Sequence, residues 1–441
     1  MNKKVLLIML ILFAFTSACD ALADNPATAI PTSATPTSSP PVCQQLQVVY
    51  IKAGTAFLWP DNGSGGQIGT PGQVTQVKIS PGCQWVAYLQ KDGQLFLKGI
   101  NPIIPIALVV SKDYLDALAN EGGQILQFEF SPDGQTLYFL VAYGEDYSGL
   151  DLFKVEMSTK VPVRLIGPGL GGNYTISPDS SCITIARATE LDLYCKGDSQ
   201  SQRIFGFSNE CSIGTHIGLD VQWAKDSKSF SVVTPECYGG SDNDHLVFQQ
   251  VPLARIGDIV AGTYVPAVYN FPGKPSDLVD IAPDGNCLIH QEDNLDLRNL
   301  HVVCKAVSAT HFTDNAYISY PKNELEFFGW SPDAQFFVIG MPFTNPTNNA
   351  PGQKVYFTSP TGMAQPLLSE QVSATADTSV RVKDIRWVTN NLFLFTYNDG
   401  LYEEQFQKGG QVTPMSKIDG GPIDHDTAVN YEYDFAAPTQ P

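Results

Sequence analysis

A four-residue corner recurs along this chain, each time between two apolar runs. The complete copy is Ser131-Pro132-Asp133-Gly134, in which proline presets φ, aspartate bonds its own backbone and glycine accepts a positive φ. All seven copies, complete or partial, begin at residues 80, 131, 177, 224, 282, 331 and 388. Successive corners are therefore 46 to 58 residues apart, and the segments between them carry mainly strand-like patterns. This period is typical of a β-propeller, in which four-stranded blades repeat around an axis.

Each repeat divides into four strands, A to D, with the corner between A and B. Strand A has bulky residues at alternate positions, which places them on one face of the strand. In the seven repeats these residues are Val77 and Ile79, Phe128 and Phe130, Tyr174 and Ile176, Val221 and Trp223, Val279 and Ile281, Phe328 and Trp330, and Ile385 and Trp387.

The two ends of the chain complement each other. Residues 48–51 and 56–59 look like strands B and C of a repeat without its A, and residues 427–435 alternate like a strand without its B. Pairing them would complete one more blade and remove the exposed sheet edges. The sequence therefore predicts an all-β fold, a single β-propeller of four-stranded blades over residues 43–436. Eight blades are favoured over seven, and residues 437–441 form a tail.

The amino terminus has the features of an export signal. Residues 1–18 combine Lys3 and Lys4 with an apolar core that is too short for an ordinary spanning helix. The segment Thr16-Ser17-Ala18-Cys19 then resembles a bacterial lipobox, which implies that Cys19 is acylated after cleavage, although Thr16 stands where leucine is usual. The alternative is a plain secreted protein. Residues 19–42, rich in Thr, Ser and Pro, predict an extended tether between the lipid and the folded domain.

The charge of the chain restricts its partners. Its formal net charge is −19, and loss of two lysines with residues 1–18 gives −19 − 2 = −21 for the mature protein. Such a surface repels phosphate backbones, which argues against nucleic acid as a partner. We expect a monomer that is extracytoplasmic, held at the cell surface or the periplasmic face, and in contact with the membrane through its lipid anchor alone.

Eight cysteines remain when Cys19 is set aside, an even number that suits an oxidising compartment. Hairpin geometry predicts that three pairs close across strand hairpins and that the first two cysteines join each other. Metal binding is the alternative, but the sequence has no Cys-x-x-Cys or Cys/His cluster with zinc spacing. The predicted disulfides are Cys43 with Cys83, Cys182 with Cys195, Cys211 with Cys237, and Cys287 with Cys304.

The corners and blade strands resemble the propeller repeats of the TolB type, relatives of the WD-repeat propellers. The resemblance rests on the Ser-Pro-Asp-Gly corner followed by an apolar strand, and it covers nearly all of residues 45–435. It implies the propeller architecture but says little about chemistry. In that family the repeats serve as protein-binding platforms or as the propeller part of peptidases whose catalytic domain is separate.

Long connections should gather on one face of such a propeller, which we call the long-loop face. It carries the B–C and D–A connections, including those expected around residues 110–124, 235–245, 312–324 and 341–354. Residues 112–120 in the first of these have the apolar spacing of a short helix. Acidic side chains in the loops could bind a basic partner or calcium, or could be solvated surface. The candidate ligand-binding residues are Asp113, Asp116, Glu145, Asp146, Asp242 and Asp244.

The sequence lacks the usual catalytic signatures. It has no Gly-x-Ser-x-Gly elbow, no His-Glu-x-x-His motif and no Gly-rich phosphate loop, and no catalytic residue is assigned. The favoured function is therefore a non-enzymatic binding platform for a protein, peptide or glycan of the cell envelope. No cofactor is required, and calcium is the one ion for which the loops offer ligands. The alternatives are a propeller enzyme that acts on extracellular polysaccharide or peptide through carboxylates in its central funnel, and a structural envelope component.

Overall fold

The computed structural model describes a large part of the 441-residue chain. No helix among the described residues is long and apolar enough to cross a membrane. The described ranges are 42–60, 66–118, 122–144, 149–187, 190–206, 221–236, 245–272, 278–294, 297–305, 312–321, 325–344, 351–360, 382–397, 400–407, 411–412, 416–420, 423–424 and 431–438.

Eight antiparallel sheets follow one another and form a ring of eight blades, so the preferred blade number is confirmed. The strands are β1 (Gln47–Lys52), β2 (Thr55–Trp59), β3 (Gln67–Ile68), β4 (Val74–Ile79), β5 (Trp85–Gln90), β6 (Leu95–Ile100), β7 (Ile103–Val110), β8 (Gln124–Phe130), β9 (Thr136–Tyr143), β10 (Gly149–Glu156), β11 (Pro162–Ile166), β12 (Asn173–Ile176), β13 (Cys182–Arg187), β14 (Glu190–Cys195), β15 (Gln202–Gly206), β16 (Val221–Trp223), β17 (Ser229–Glu236), β18 (His245–Pro252), β19 (Ala267–Pro272), β20 (Leu278–Ile281), β21 (Cys287–Asn294), β22 (Leu297–Lys305), β23 (Phe312–Pro321), β24 (Glu326–Trp330), β25 (Phe337–Thr344), β26 (Pro351–Thr358), β27 (Asp384–Thr389), β28 (Leu392–Tyr397), β29 (Gly400–Gln407), β30 (Gln411–Val412), β31 (Ser416–Gly420) and β32 (Tyr433–Ala436).

The first blade combines both ends of the described chain. Its order is β3-β2-β1-β32, so three strands come from the amino-terminal side and the innermost strand comes from the carboxyl end. The next five blades are β4–β7, β8–β11, β12–β15, β16–β19 and β20–β23. Three strands of the seventh blade, β24–β26, are described, and the eighth consists of β27–β29 with β30 and β31 both paired to β29.

One hydrophobic cluster fills each of the eight interfaces between neighbouring blades. The cluster between the second and third blades joins Leu97 and Val110 to Phe139 and Phe153, and the one between the eighth and first joins Leu394 to Tyr433. The other six clusters occupy the remaining interfaces in turn around the ring. Each sheet therefore buries both faces against its neighbours, and this burial supplies most of the stabilisation expected for such a fold.

The corner is held by the side chains of its serine and aspartate, which accept hydrogen bonds from backbone N–H groups of the turn. The Oγ of Ser131 accepts the backbone N–H of Thr136 at 3.0 Å and donates to Asp133, which in turn accepts the N–H of Gln135 at 3.0 Å. The serine thus satisfies a turn donor that has no strand partner. The same serine acceptor recurs in Ser80 with Trp85, Ser177 with Cys182, and Ser331 with Phe336.

The fourth corner residue adopts the left-handed conformation in six blades, whatever its type. Glycine occupies this position only at Gly134 and Gly285, both with φ of 68°. The bonds around the corner hold the other residues there although a side chain disfavours this region. These residues and their φ values are Cys83 (53°), Ser180 (60°), Ser227 (57°) and Ala334 (56°).

Three of the predicted disulfides are present. Cys182 lies directly opposite Cys195 in the β13–β14 hairpin, with Cα atoms 4.0 Å apart, and the third bond joins Cys43 to Cys83. Cys287 and Cys304 are also direct partners, more symmetric across β21 and β22 than the sequence suggested. Cys19, Cys211 and Cys237 lie outside the described residues. The three disulfides that are present indicate an oxidising, extracytoplasmic environment.

The predicted short helix is confirmed as α1 (Lys112–Leu118), and a second short helix is α2 (Ile256–Val260), preceded by a 3-10 turn at Leu253–Arg255. The Oγ of Ser111 accepts the N–H of Tyr114 and caps the start of α1. Leu115 is buried, and it attaches α1 to the interface between the second and third blades.

Two connections expected to be long loops are largely strands. Residues 312–321 form β23 and pair with β22, although they were expected within a D–A loop. Residues 341–344 and 351–354 extend β25 and β26 into a long B–C hairpin. An outer strand needs only one apolar face, and Thr, Tyr and Ile favour strands, so these segments can pair although they carry polar residues.

We predict that two glycine corners differ in their tolerance of alanine. At Gly134 an added Cβ would have its nearest neighbour at 3.7 Å, so Gly134→Ala should cost only the backbone term of about 1 kcal/mol. At Gly285 the added Cβ would lie only 2.6 Å from Ser231 Oγ. This hydroxyl, in the fifth blade, donates a hydrogen bond of 2.8 Å to the Gly285 carbonyl in the sixth blade. Gly285→Ala should therefore cost about 2–3 kcal/mol in urea unfolding. Equal losses would contradict this account, because both glycines have the same φ.

Glu404 is an acid buried at the interface between the seventh and eighth blades. It lies in β29 opposite Phe393, on the side of the sheet that packs against the seventh blade, and only 1% of its surface is exposed. Neither carboxyl oxygen has a hydrogen-bond partner within the described part of the chain. Burial raises the pKa of Glu404 from 4.5 to about 7.

This pKa makes stability depend on pH. The folded state retains the Glu404 proton up to about pH 7, whereas the unfolded chain releases it near 4.5. The stabilising contribution is complete below pH 4.5 and is lost as pH rises through 7. We expect Glu404→Gln to stabilise the protein by about 2–3 kcal/mol at pH 8 and by almost nothing at pH 4.5. The control Glu403→Gln, at a less buried position, should show a smaller pH dependence in the same thermal melts; equal effects would refute the assignment.

Candidate functional site

The innermost strands carry a ring of mostly polar residues at the central channel. In each strand one residue stands between two bulky residues, two positions before the corner or at the equivalent place in the closing strand, so it occupies the same position in every blade. Five of these eight residues are charged, three acidic and two basic. This channel ring consists, from the first to the eighth blade, of Asp434, Lys78, Glu129, Thr175, Gln222, Asp280, Gly329 and Arg386.

A cavity of about 430 Å³ lies against the innermost strands of the eighth, first, second and third blades, which are consecutive around the ring. These strands begin at D–A connections, so the cavity extends from the channel ring toward the long-loop face. We call it the channel recess. Its described lining residues are Gln76, Val77, Lys78, Leu126, Gln127, Phe128, Asp384, Arg386, Tyr431, Glu432 and Tyr433.

Arg386 connects the last innermost strand to the strand that closes the ring. Its guanidinium donates to Asp384 at 2.9 Å and to the backbone carbonyls of Tyr431 and Tyr433 at 2.8 and 2.5 Å. It also lies over the Tyr433 ring, 4.2 Å from the centroid. Burial lowers the pKa of Arg386, but Tyr433, Asp384 and Asp434 outweigh it and raise the pKa overall. Arg386 is thus a permanent cation, and each of its three nitrogens donates one hydrogen bond within the closing seam.

The acidic members of the channel ring influence one another. Asp434 accepts the backbone N–H of Ile79 at 2.9 Å and so joins the first blade to the second. Glu129 reaches solvent in the channel, yet protein surrounds it on most sides. Burial raises the pKa of Glu129; Lys78 opposes this rise and Asp434 adds to it. The single lysine therefore does not neutralise the two acids beside it.

Three polar side chains of the channel recess make no hydrogen bond or ion pair within the described chain, although Lys78 acts on Glu129 at longer range. The carboxamides of Gln76 and Gln127 and the ammonium of Lys78 form no hydrogen bond or ion pair with any described residue. Gln76 and Lys78 come from β4, and Gln127 comes from β8, the adjacent innermost strand. The recess therefore presents donors and acceptors that remain available to a ligand.

The acidic loop residues suggested by the sequence are not part of this recess where they are described. Asp113 and Asp116 lie exposed on α1, and Asp116 forms an ion pair with Lys112 at 2.9 Å, as solvated helix residues commonly do. The other four, Glu145, Asp146, Asp242 and Asp244, lie outside the described residues. No group of three potential metal ligands occurs among the described residues, and calcium binding stays a prediction.

Sequence reasoning used the bulky positions of strand A and passed over the residues between them. Lys78, Glu129 and Arg386 each stand directly between two bulky residues that were placed on one face of strand A. The signal was present, because an innermost strand has its polar side at the channel. Gln76, Gln127 and Asp384 each lie two residues before a ring residue, and the same period of two could have identified them.

Neither a protein-family model nor a curated protein sequence matches this chain. Several solved structures resemble it in fold. A crystal structure of the eukaryotic initiation factor is 11% identical, with a TM-score of 0.49, and the match covers 90% of this chain and all of that one. Porphyromonas gingivalis dipeptidyl peptidase 4 is 10% identical, with a TM-score of 0.47, and the match covers 78% of this chain and 53% of the peptidase. The chain therefore spans about half the length of that peptidase. The β-propeller domain of the Trilobed protease from Pyrococcus furiosus is 12% identical, with a TM-score of 0.37, and the match covers 66% of this chain and 84% of that domain. These similarities concern the fold alone.

We predict that Arg386 is needed to hold the closing strand β32. Arg386→Met would remove one hydrogen-bond donor each from Asp384 and from the carbonyls of Tyr431 and Tyr433, which should destabilise the domain by about 2–3 kcal/mol. The matched control is Arg255→Met, because Arg255 also binds an aspartate at 2.9 Å but is 57% exposed. That variant should change stability by less than about 1 kcal/mol. Thermal melts and limited proteolysis of the carboxyl end would test both; equal losses would show that Arg386 has no special role.

Proposed function

We propose that this protein is a lipid-anchored, extracytoplasmic binding platform that engages a protein, peptide or glycan through the long-loop face of its propeller, without catalysing a reaction. The observation that supports this most is the channel recess, which is lined by Gln76, Lys78 and Gln127. A rigid ring of blades keeps such groups in fixed positions, which lowers the entropic cost of binding.

The proposed anchor is supported by features at the start of the chain. Thr16-Ser17-Ala18-Cys19 follows a short apolar segment, and the later cysteines form disulfides that need an oxidising compartment. Acylation of Cys19 would keep the propeller near a membrane without burying it there, with the Thr-, Ser- and Pro-rich residues 19–42 as the proposed tether. Calcium is a further proposal, restricted to the acidic loops.

One observation favours an enzyme as the second candidate. Glycoside hydrolases use two carboxyl groups, one of them with a raised pKa, on either side of the scissile bond. The pKa of Glu129 is raised by burial and Asp434, and Asp384 and Glu432 line the adjacent recess. However, Asp384 is bound by Arg386 and Asp434 by the Ile79 N–H, so two of these acids stabilise the ring closure.

Affinity capture can separate the two candidates. The mature protein, exported and purified, would be used to capture partners from an envelope extract, and we expect one saturable protein or glycan partner. In parallel, the same preparation would be incubated with envelope polysaccharides and peptides. Turnover by wild type that is lost in Glu129→Gln, while Gln222→Ala retains it, would replace the platform with the enzyme. A failure to capture any saturable partner would also count against the platform.

A further inference from the structure

The unengaged groups of the channel recess have a particular chemical character. Gln76 and Gln127 belong to adjacent innermost strands, and a carboxamide both donates and accepts hydrogen bonds. A hydroxyl group also does both, so neighbouring hydroxyls on one ligand match a pair of carboxamides. A ligand with only acceptors or only donors would leave half of each amide unpaired, which is costly where water is excluded.

The charges around the recess disfavour an anionic ligand. Among its described lining residues, Lys78 and Arg386 balance Asp384 and Glu432. Beyond them the channel ring adds the acids Glu129 and Asp434, which already oppose each other. With these four acids against two bases, an anion would add to the repulsion. A neutral ligand avoids this cost.

The same site offers little to an added peptide strand. Strand addition needs free backbone groups at a sheet edge together with pockets for alternate side chains. Here Asp434 already accepts the Ile79 N–H, and Arg386 occupies the carbonyls of Tyr431 and Tyr433. Of the described aliphatic lining residues, Val77 is 2% exposed and Leu126 is 41% exposed, so a single apolar side chain is accessible.

We propose that the channel recess binds the terminal units of a neutral saccharide chain, held through hydroxyl groups by Gln76, Gln127 and Lys78, with Leu126 against an apolar sugar face. This rests on the proposed platform function and specifies its ligand. The cavity volume of about 430 Å³ lies within the range of small-ligand sites, about 300–1,000 Å³, and a recess suits a chain end better than a continuous strand.

Calorimetric titration of the mature protein tests this directly, in a detergent without a sugar headgroup. The probes are cellotetraose, chitotetraose, maltotetraose and mannotetraose, with tetragalacturonate as the anionic counterpart. We expect at least one neutral probe to bind with a dissociation constant below about 1 mM and tetragalacturonate to bind at least tenfold more weakly. Gln76→Ala and Gln127→Ala should each weaken the neutral probe about tenfold.

Gln222→Ala is the matched control, because Gln222 is a channel-ring amide on the innermost strand of the fifth blade, outside the described lining of the recess. The affinity of the Gln222→Ala variant for the neutral probe should stay within about twofold of wild type. Equal melting temperatures establish that each variant is folded, and Gln127→Glu replaces Gln127→Ala if that variant melts early. Absence of neutral binding, tighter binding of tetragalacturonate, or wild-type affinity in both recess variants would overturn the saccharide assignment. A captured protein partner that still binds those variants would leave the platform standing and refute only the saccharide.

Discussion

Packing between neighbouring blades is the interaction on which the rest of this structure depends. Every sheet has two apolar faces, and each of the eight clusters is shared by two blades. A blade on its own would expose both faces to water, so no subset of blades can satisfy this requirement. Only a closed ring covers all of them, and this is why the first blade must take its innermost strand from the far end of the chain.

The closing seam adds polar interactions to this packing. Asp424 accepts the backbone N–H groups of Ala53 and Gly54, and Lys52 forms an ion pair with Asp419 at 3.0 Å. Together with the bonds of Arg386 and Asp434, these interactions join the chain segments that meet where the ring closes. The charged residues of the channel ring near the seam are therefore partly structural, and Gln76 and Gln127, which have no such role, are better placed to bind a ligand.

The fold was largely predictable because its main determinant is local and repeated. A corner that needs a serine acceptor, an aspartate and a left-handed fourth residue leaves a readable pattern, and the unmatched strands at the two ends indicated how the ring closes. The outer strand β23 was missed because an edge strand can be polar on one side. The recess was missed for a different reason: its residues come from four blades that are far apart in sequence, and only closure brings Asp384 and Gln127 to one cavity.

The bond between Cys43 and Cys83 has a mechanical consequence. Tension applied to the chain from its amino-terminal side reaches the domain at Cys43, which is covalently joined to the corner of the second blade. The load then passes through a covalent link into a blade whose four strands are consecutive in the chain. The hydrogen bonds between β1 and β32 are thereby spared, and the ring can resist pulling at the point where its two ends meet.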